Sequence, residues 1–262
     1  MQNQNVHPQS KKKVSRVAVF VYGIAAYVIF LGTFLYACGF VGNFWVPRSI
    51  DSTPAAFASS ALAIDIALLG LFGLQHSGMA RKEFKQKWTK IVPKPIERST
   101  YVLFSSLCLL TLFYFWQPIG GTLWRVNSSV GVAVLYSLFT IGWLIVLGTT
   151  FLINHFELFR LQQVWFYLQE KDSTAAEFVT PGPYQYVRHP LYVGFLIAFW
   201  ATPNMTITHL VFALVITAYV VVAVQLEEKD LIADHGETYK AYRRRVPMLI
   251  PFVRSRFNDR IG

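Results

Sequence analysis

The densest group of chemically capable side chains lies in Thr180-Pro181-Gly182-Pro183-Tyr184-Gln185-Tyr186-Val187-Arg188-His189-Pro190-Leu191-Tyr192-Val193-Gly194. Pro190 suits the first turn of a helix, where its missing N–H costs nothing, so Arg188 and His189 stand at a helix entrance. A second group, Glu227-Glu228, follows directly on the apolar run 220–224. Each group has a bland reading. Tyr, Arg and His gather at membrane interfaces, where an apolar stem and a polar tip are both accommodated. A glutamate pair at a helix end is ordinarily solvated and paired with a neighbour such as Lys229. Together they point further. If the chain turns back between them, a carboxylate, a histidine and several tyrosines line one pocket. That pocket suits a polar ligand with a positive centre, because aromatic faces attract cations and carboxylates accept hydrogen bonds from hydroxyl or ammonium groups.

The elements that must position these groups are apolar blocks. The 262-residue chain is 54% hydrophobic and only 15% charged, with a mean hydropathy of +0.40; an ordinary soluble domain carries about 25% charged residues. Blocks at 17–41, 55–75, 99–116 and 130–153 each approach or exceed the roughly 20 helical residues that cross a hydrocarbon core. The first is too long for a signal-peptide core and lacks a small-residue cleavage site. Two further blocks, 191–202 and 207–224, flank Pro203-Asn204-Met205-Thr206. The first of these rises only about 18 Å as a helix and cannot cross alone, so the pair reads as a tight helical hairpin. The expected fold is an all-α integral membrane protein of four transmembrane helices plus a C-terminal helical hairpin. It divides into a polar basic tail (1–16), a four-helix region (17–153) and a ligand-binding region with the hairpin and a basic tail (154–262).

The net charge of +10 follows this topology, since every Lys and Arg except Arg48 and Arg125 falls on one side of it. The positive-inside rule then places both termini in the cytoplasm, and the charge argues for membrane orientation rather than nucleic acid. Cys38 and Cys108 sit inside apolar blocks, which excludes a disulfide framework or a cysteine metal site. Asp65 lies within a span, and intramembrane ionisable groups are functional candidates by default. His76 and His155 fall at the cytoplasmic ends of the second and fourth blocks. Both can face the mouth of the pocket or serve as interfacial hydrogen-bonders. Two histidines without a third ligand at metal spacing argue against zinc. His209, near the hairpin tip, reads as a helix-start residue.

The pattern Gly182-x-Tyr184-x-x-x-Arg188-His189-Pro190-x-Tyr192-x-Gly194, then Glu227-Glu228-x-x-Leu231, Gly236-x-x-Tyr239-x-x-Tyr242 and Val246-Pro247, resembles the integral-membrane methyltransferases that use S-adenosylmethionine. These include the isoprenylcysteine carboxyl and phospholipid methyltransferases. The resemblance implies cofactor contacts at Gln169, Phe178, Val179, Tyr184, Arg188, His189, Tyr192 and Glu227. Ala223 stands where the prenylcysteine enzymes carry an arginine for their substrate. A resemblance over nearly the whole chain rests on Gln75-His76-Ser77-x-Met79-Ala80-Arg81, Asn154-His155-Phe156-Glu157-Leu158-Phe159, Gln163-Val164-Trp165 and Ala201-Thr202-Pro203-x-Met205-Thr206-x-x-His209-Leu210. It is to the bacterial methanethiol S-methyltransferase family and, more loosely, to the NnrU-like membrane proteins. Arg160 and Gln162 depart from that family's expected Gly and Arg.

That resemblance implies methylation of a small volatile thiol in the lipid bilayer, methanethiol first and hydrogen sulfide or selenols as further acceptors, with S-adenosylhomocysteine as the second product. It further implies the cytoplasmic membrane of a bacterium, with the site facing the cytoplasm. The thiolate is the nucleophile, so a base of near-neutral pKa is needed. His155 and His76 are the candidates, with Asn154 or Glu157 orienting. Two other classes stay open: the same chemistry on a lipidic acceptor, and a non-enzymatic NnrU-like protein in which His76, His155 and Asp65 hold haem or relay protons.

Overall fold

The computed structural model describes residues 15–54, 58–152, 164–165, 168–169 and 180–251. The polar tail 1–14 lies outside them. Among the described residues five helices are long and apolar enough to cross a membrane. The first, α1 (Arg16–Gly42), is capped by the Ser15 hydroxyl and ends on Asn43 in the left-handed conformation at φ 60°. Its most exposed apolar side chains, Val17, Val21, Val28 and Leu35, recur at helical spacing and form a lipid-facing stripe. Val19, Gly23, Ala26 and Thr33 face inward.

Helix α2 (Ala58–Ala80) leads into the short α3 (Lys82–Trp88), and α4 (Glu97–Phe115) follows a 3-10 turn at Lys94–Ile96. α4 packs against α1 and α2; Tyr22 Oη donates to Thr100 Oγ1 at 3.0 Å. Phe40, Phe113 and Trp116 close the opposite end of this packing, with ring centroids 4.7 and 5.7 Å from Phe40. After strand β1 (Thr122–Arg125), α5 (Ser129–Leu152) crosses back.

The C-terminal hairpin comprises α6 (Pro190–Trp200), strand β2 (Asn204–Thr206) and α7 (Ile207–Arg245). α6 lies against α5 with backbones almost touching. A Cβ on Gly142 would fall 2.7 Å from Gly194 O, and one on Gly194 would fall 2.7 Å from Gly142 O. Small residues at facing positions are how membrane helices gain contact without a hydrophobic driving force between them.

The all-α expectation omitted a small element. β1 and β2 pair antiparallel at the hairpin tip, supported by Ile207 N donating to Gly121 O at 2.9 Å and Val126 N to Pro203 O at 2.8 Å. The pairing explains how a short limb crosses. Residues 190–200 rise only about 16 Å as a helix, whereas the partner limb from Ile207 to Glu228 rises about 32 Å. Residues 201–203 turn, and the extended Asn204–Thr206 then adds roughly 3.3 Å per residue to the short limb. Their backbone polar groups need partners away from water, and β1 supplies them. Thr206 caps α7 by accepting from His209 N at 3.0 Å, and its hydroxyl donates to Asp51. His209 is the expected helix-start residue; its buried ring sits with Nε2 2.8 Å from Phe199 O. α7 is broken at Gly236, whose φ of 53° and ψ of −127° lie outside the range that ordinary residues tolerate.

The basic residues separate as the topology requires. Arg48 and Arg125 stand at the end with the strands, Arg48 donating to Tyr114 O at 2.6 Å and Arg125 to Asn204 Oδ1 at 3.4 Å. Arg81 and Lys82 stand at the other end, paired with Asp230 (3.0 Å) and Asp234 of α7. Asp65 tethers the loop after α4, its Oδ1 accepting from Gln117 N at 2.9 Å.

Candidate active site

At the base of the hairpin, the Pro181-Gly182-Pro183 turn sets a 3-10 turn over Gly182–Gln185, with Gly182 at φ 51°. Arg188 and His189 then enter α6 ahead of Pro190. Their backbone N–H groups donate to Pro247 O and Met248 O at 2.9 and 3.2 Å, so the segment after α7 closes over the helix entrance. Tyr242 Oη donates to Tyr184 O at 2.6 Å and fixes the preceding turn.

The two glutamates separate by the roughly 100° that adjacent helical residues must. Glu228 turns inward and is 9% exposed. Its Oε1 accepts from Arg188 Nε at 2.7 Å and lies 3.2 Å from His189 Nε2, while its Oε2 is 3.5 Å from Arg243 Nε. Glu227 turns outward and is 46% exposed, with Oε2 3.7 Å from His189 Nδ1. The Tyr192 ring centroid lies 5.9 Å from that of His189. Burial, and then the charge of Glu227, push the Tyr184 phenol up, so it remains a protonated donor beside that carboxylate.

Tyr184, His189, Tyr192 and Glu227 are thus brought together, as the sequence pattern suggested. Arg188 is placed differently. It is 5% exposed, and besides Glu228 it donates to Arg243 O at 3.0 Å and Val246 O at 2.6 Å. Its Nε and Nη1 face the buried carboxylate and two carbonyls, so that edge of the guanidinium braces the site from behind. Gln169 is exposed and donates its N–H to Trp165 O at 3.0 Å, apart from these contacts. Asn154, His155, Glu157, Phe178 and Val179 lie outside the described residues.

The other histidine candidate sits among hydroxyls. His76 stacks on Phe72 with centroids 5.2 Å apart, and its Nδ1 is 3.0 Å from Tyr101 Oη and 3.2 Å from Ser105 Oγ. Beside it, Ser77 Oγ lies 3.0 Å from Tyr219 Oη of α7. Sequence reasoning missed Tyr101 and Tyr219. Their only signal was a phenol inside an otherwise apolar run, and that pattern equally fits a lipid-interface residue.

The donor set fits a polar methyl donor with a positive centre. Glu227 keeps an exposed carboxylate edge for ammonium or hydroxyl donors, and Tyr184 and Tyr192 set aromatic surface next to it for a cationic centre. The described bundle and this cluster define an integral-membrane methyltransferase, and the phospholipid methyltransferase family matches residues 128–237. The chain is 58% identical to methanethiol S-methyltransferase of Crocosphaera subtropica, over 93% of its own length and 96% of that relative's. It is 50% identical to that of Pseudomonas deceptionensis over 95% and 94% of the two lengths, and 47% identical to that of Mycobacterium tuberculosis over 91% and 98%. The chain belongs to the methanethiol S-methyltransferase family. No solved structure matches it significantly.

Proposed function

We propose that the protein transfers a methyl group from S-adenosylmethionine to methanethiol, releasing dimethyl sulfide and S-adenosylhomocysteine. The observation that carries the reading is the divergence of the glutamate pair. Glu228 is saturated from behind by Arg188 and His189, while Glu227 presents a half-exposed carboxylate among Tyr184, His189 and Tyr192. When bound, the cofactor supplies an electrophilic methyl group on a sulfonium.

The chain's own residues hold, orient and desolvate. Glu227 accepts from the cofactor's polar donors, Tyr184 and Tyr192 wall its cation, and His189 keeps Glu227 in place. By the family resemblance, Gln169, Phe178 and Val179 are assigned to the cofactor as well. In the transfer, the thiol S–H bond breaks and its proton passes to a neutral imidazole, His155 or His76. The thiolate left by that proton transfer would be the nucleophile for the methyl group the cofactor would supply. Asn154 or Glu157 is the partner assigned to orient His155. Apolar helices exclude water, and the membrane concentrates a substrate and product that partition into lipid. The basic end of the bundle faces the cytoplasm by the positive-inside rule, in the cytoplasmic membrane of a bacterium, so the site draws on the cytoplasmic cofactor pool.

The test is a headspace assay. Purified protein with S-adenosylmethionine and methanethiol should yield dimethyl sulfide, whereas phospholipid amines and prenylcysteine should yield no methylated product. Methylation of a lipidic acceptor without dimethyl sulfide would overturn the reading.

A further inference from the structure

Tyr219 stands in the apolar stretch of α7, eight residues before Glu227 and so about 12 Å deeper along the helix. α2 is shaped to receive it. A Cβ on Gly73 would lie 3.3 Å from Tyr219 Cε2, so glycine gives the ring its seat. Ser77, one turn on, meets the hydroxyl at 3.0 Å. When Ser77 donates to the Tyr219 oxygen, the phenolic proton is left for a third partner. The surroundings favour a small, polarisable and anionic partner. Arg98 stands over the Tyr101 ring, 4.7 Å from its centroid. Phe72, His76 and Tyr101 supply an aromatic wall with a proton acceptor.

We propose that the Tyr219–Ser77 pair is the acceptor-binding element, the Tyr219 hydroxyl donating a hydrogen bond to the thiol or thiolate sulfur in the niche between α2, α4, α6 and α7. The inference rests on the thiol methyltransferase reading above. It gives that reading a location for the acceptor, on the membrane side of the cofactor residues.

The experiment uses the full chain in nanodiscs, loaded with S-adenosylhomocysteine so that thiol binds without turnover, and titrated calorimetrically with ethanethiol. Tyr219→Phe keeps the ring in its seat and removes the donor. It should weaken thiol binding about fivefold to tenfold, the equivalent of one net hydrogen bond, and leave S-adenosylmethionine affinity within about twofold of wild type. Ser77→Ala should shift thiol binding in the same direction by a smaller factor, and it decides the matter if Tyr219→Phe does not purify. Unchanged thiol binding in both variants overturns the inference and makes the pair an interhelical tie. Loss of cofactor affinity instead of thiol affinity also overturns it, assigning the niche to the cofactor. In both cases dimethyl sulfide formation by wild type shows that the wider reading stands. Wild-type protein that binds the cofactor but takes no thiol overturns both.

Discussion

The inward carboxylate offers the sharpest test of how the site is built. Glu228→Gln preserves shape and removes the charge that faces Arg188 at 2.7 Å in a pocket where both side chains are nearly sealed, 3% and 9% exposed. Breaking a buried ion pair from one side typically costs about 3–5 kcal/mol, because the remaining charge stays buried without compensation. The low end applies here, since Arg188 keeps the carbonyls of Arg243 and Val246 as acceptors. A loss of about 3 kcal/mol corresponds to roughly 150-fold in the folding equilibrium. At about 2–4 °C per kcal/mol for a chain near this size, the thermal midpoint should fall by roughly 6–12 °C. The assay pairs thermal unfolding in detergent with calorimetric titration of S-adenosylmethionine. Glu228→Gln should lose stability while cofactor affinity, measured well below the midpoint, changes by less than about threefold. An unchanged midpoint together with a large loss of cofactor affinity would refute the reasoning, because Glu228 would then be a ligand contact and not a brace.

Glu227→Gln should show the opposite profile, with an unchanged midpoint and a cofactor Kd raised about tenfold or more, the value of a charge-assisted hydrogen bond; calorimetry reads it directly. Gly194→Val pushes a side chain into the Gly142 carbonyl and should cost about 1–3 kcal/mol or more as overpacking, visible as a lower midpoint and poorer yield. Asp65→Ala removes the acceptor for Gln117 N and should cost about 1–3 kcal/mol as an orphaned donor, with kcat near wild type at temperatures below the new midpoint. The acid limb of kcat/KM for methanethiol should report a pKa between about 6 and 8. It should vanish in His155→Ala, and a limb that survives that substitution removes His155 from the role.

Much of this was legible from sequence because the bilayer imposes a one-dimensional rule. A segment of about 20 apolar residues crosses as a helix, so the spans and the sorting of Arg48 and Arg125 from the other basic residues could be read without contacts. The cluster of Tyr184, His189, Tyr192 and Glu227 was also legible, because a hairpin returns its second limb to the level where its first began. What sequence could not decide were the choices made by azimuth and by neighbours. Glu227 and Glu228 are chemically identical, and only the packing of α7 against Arg188 turns one inward and leaves the other open. Arg188 looked like a ligand contact for the same reason, since a guanidinium in a motif does not reveal which acceptors reach it first. The strand pairing at the hairpin tip needed partners about 80 residues apart, Thr122↔Thr206 aligning at one end, and four-residue and three-residue strands carry no periodicity to announce them. Tyr219 and Ser77 belong to helices that meet only in the folded bundle, where Gly73 makes room for a ring. Hydropathy fixes which segments are buried in the membrane, while the direction each polar side chain faces is set by close packing between helices, and that is a property of the tertiary structure alone.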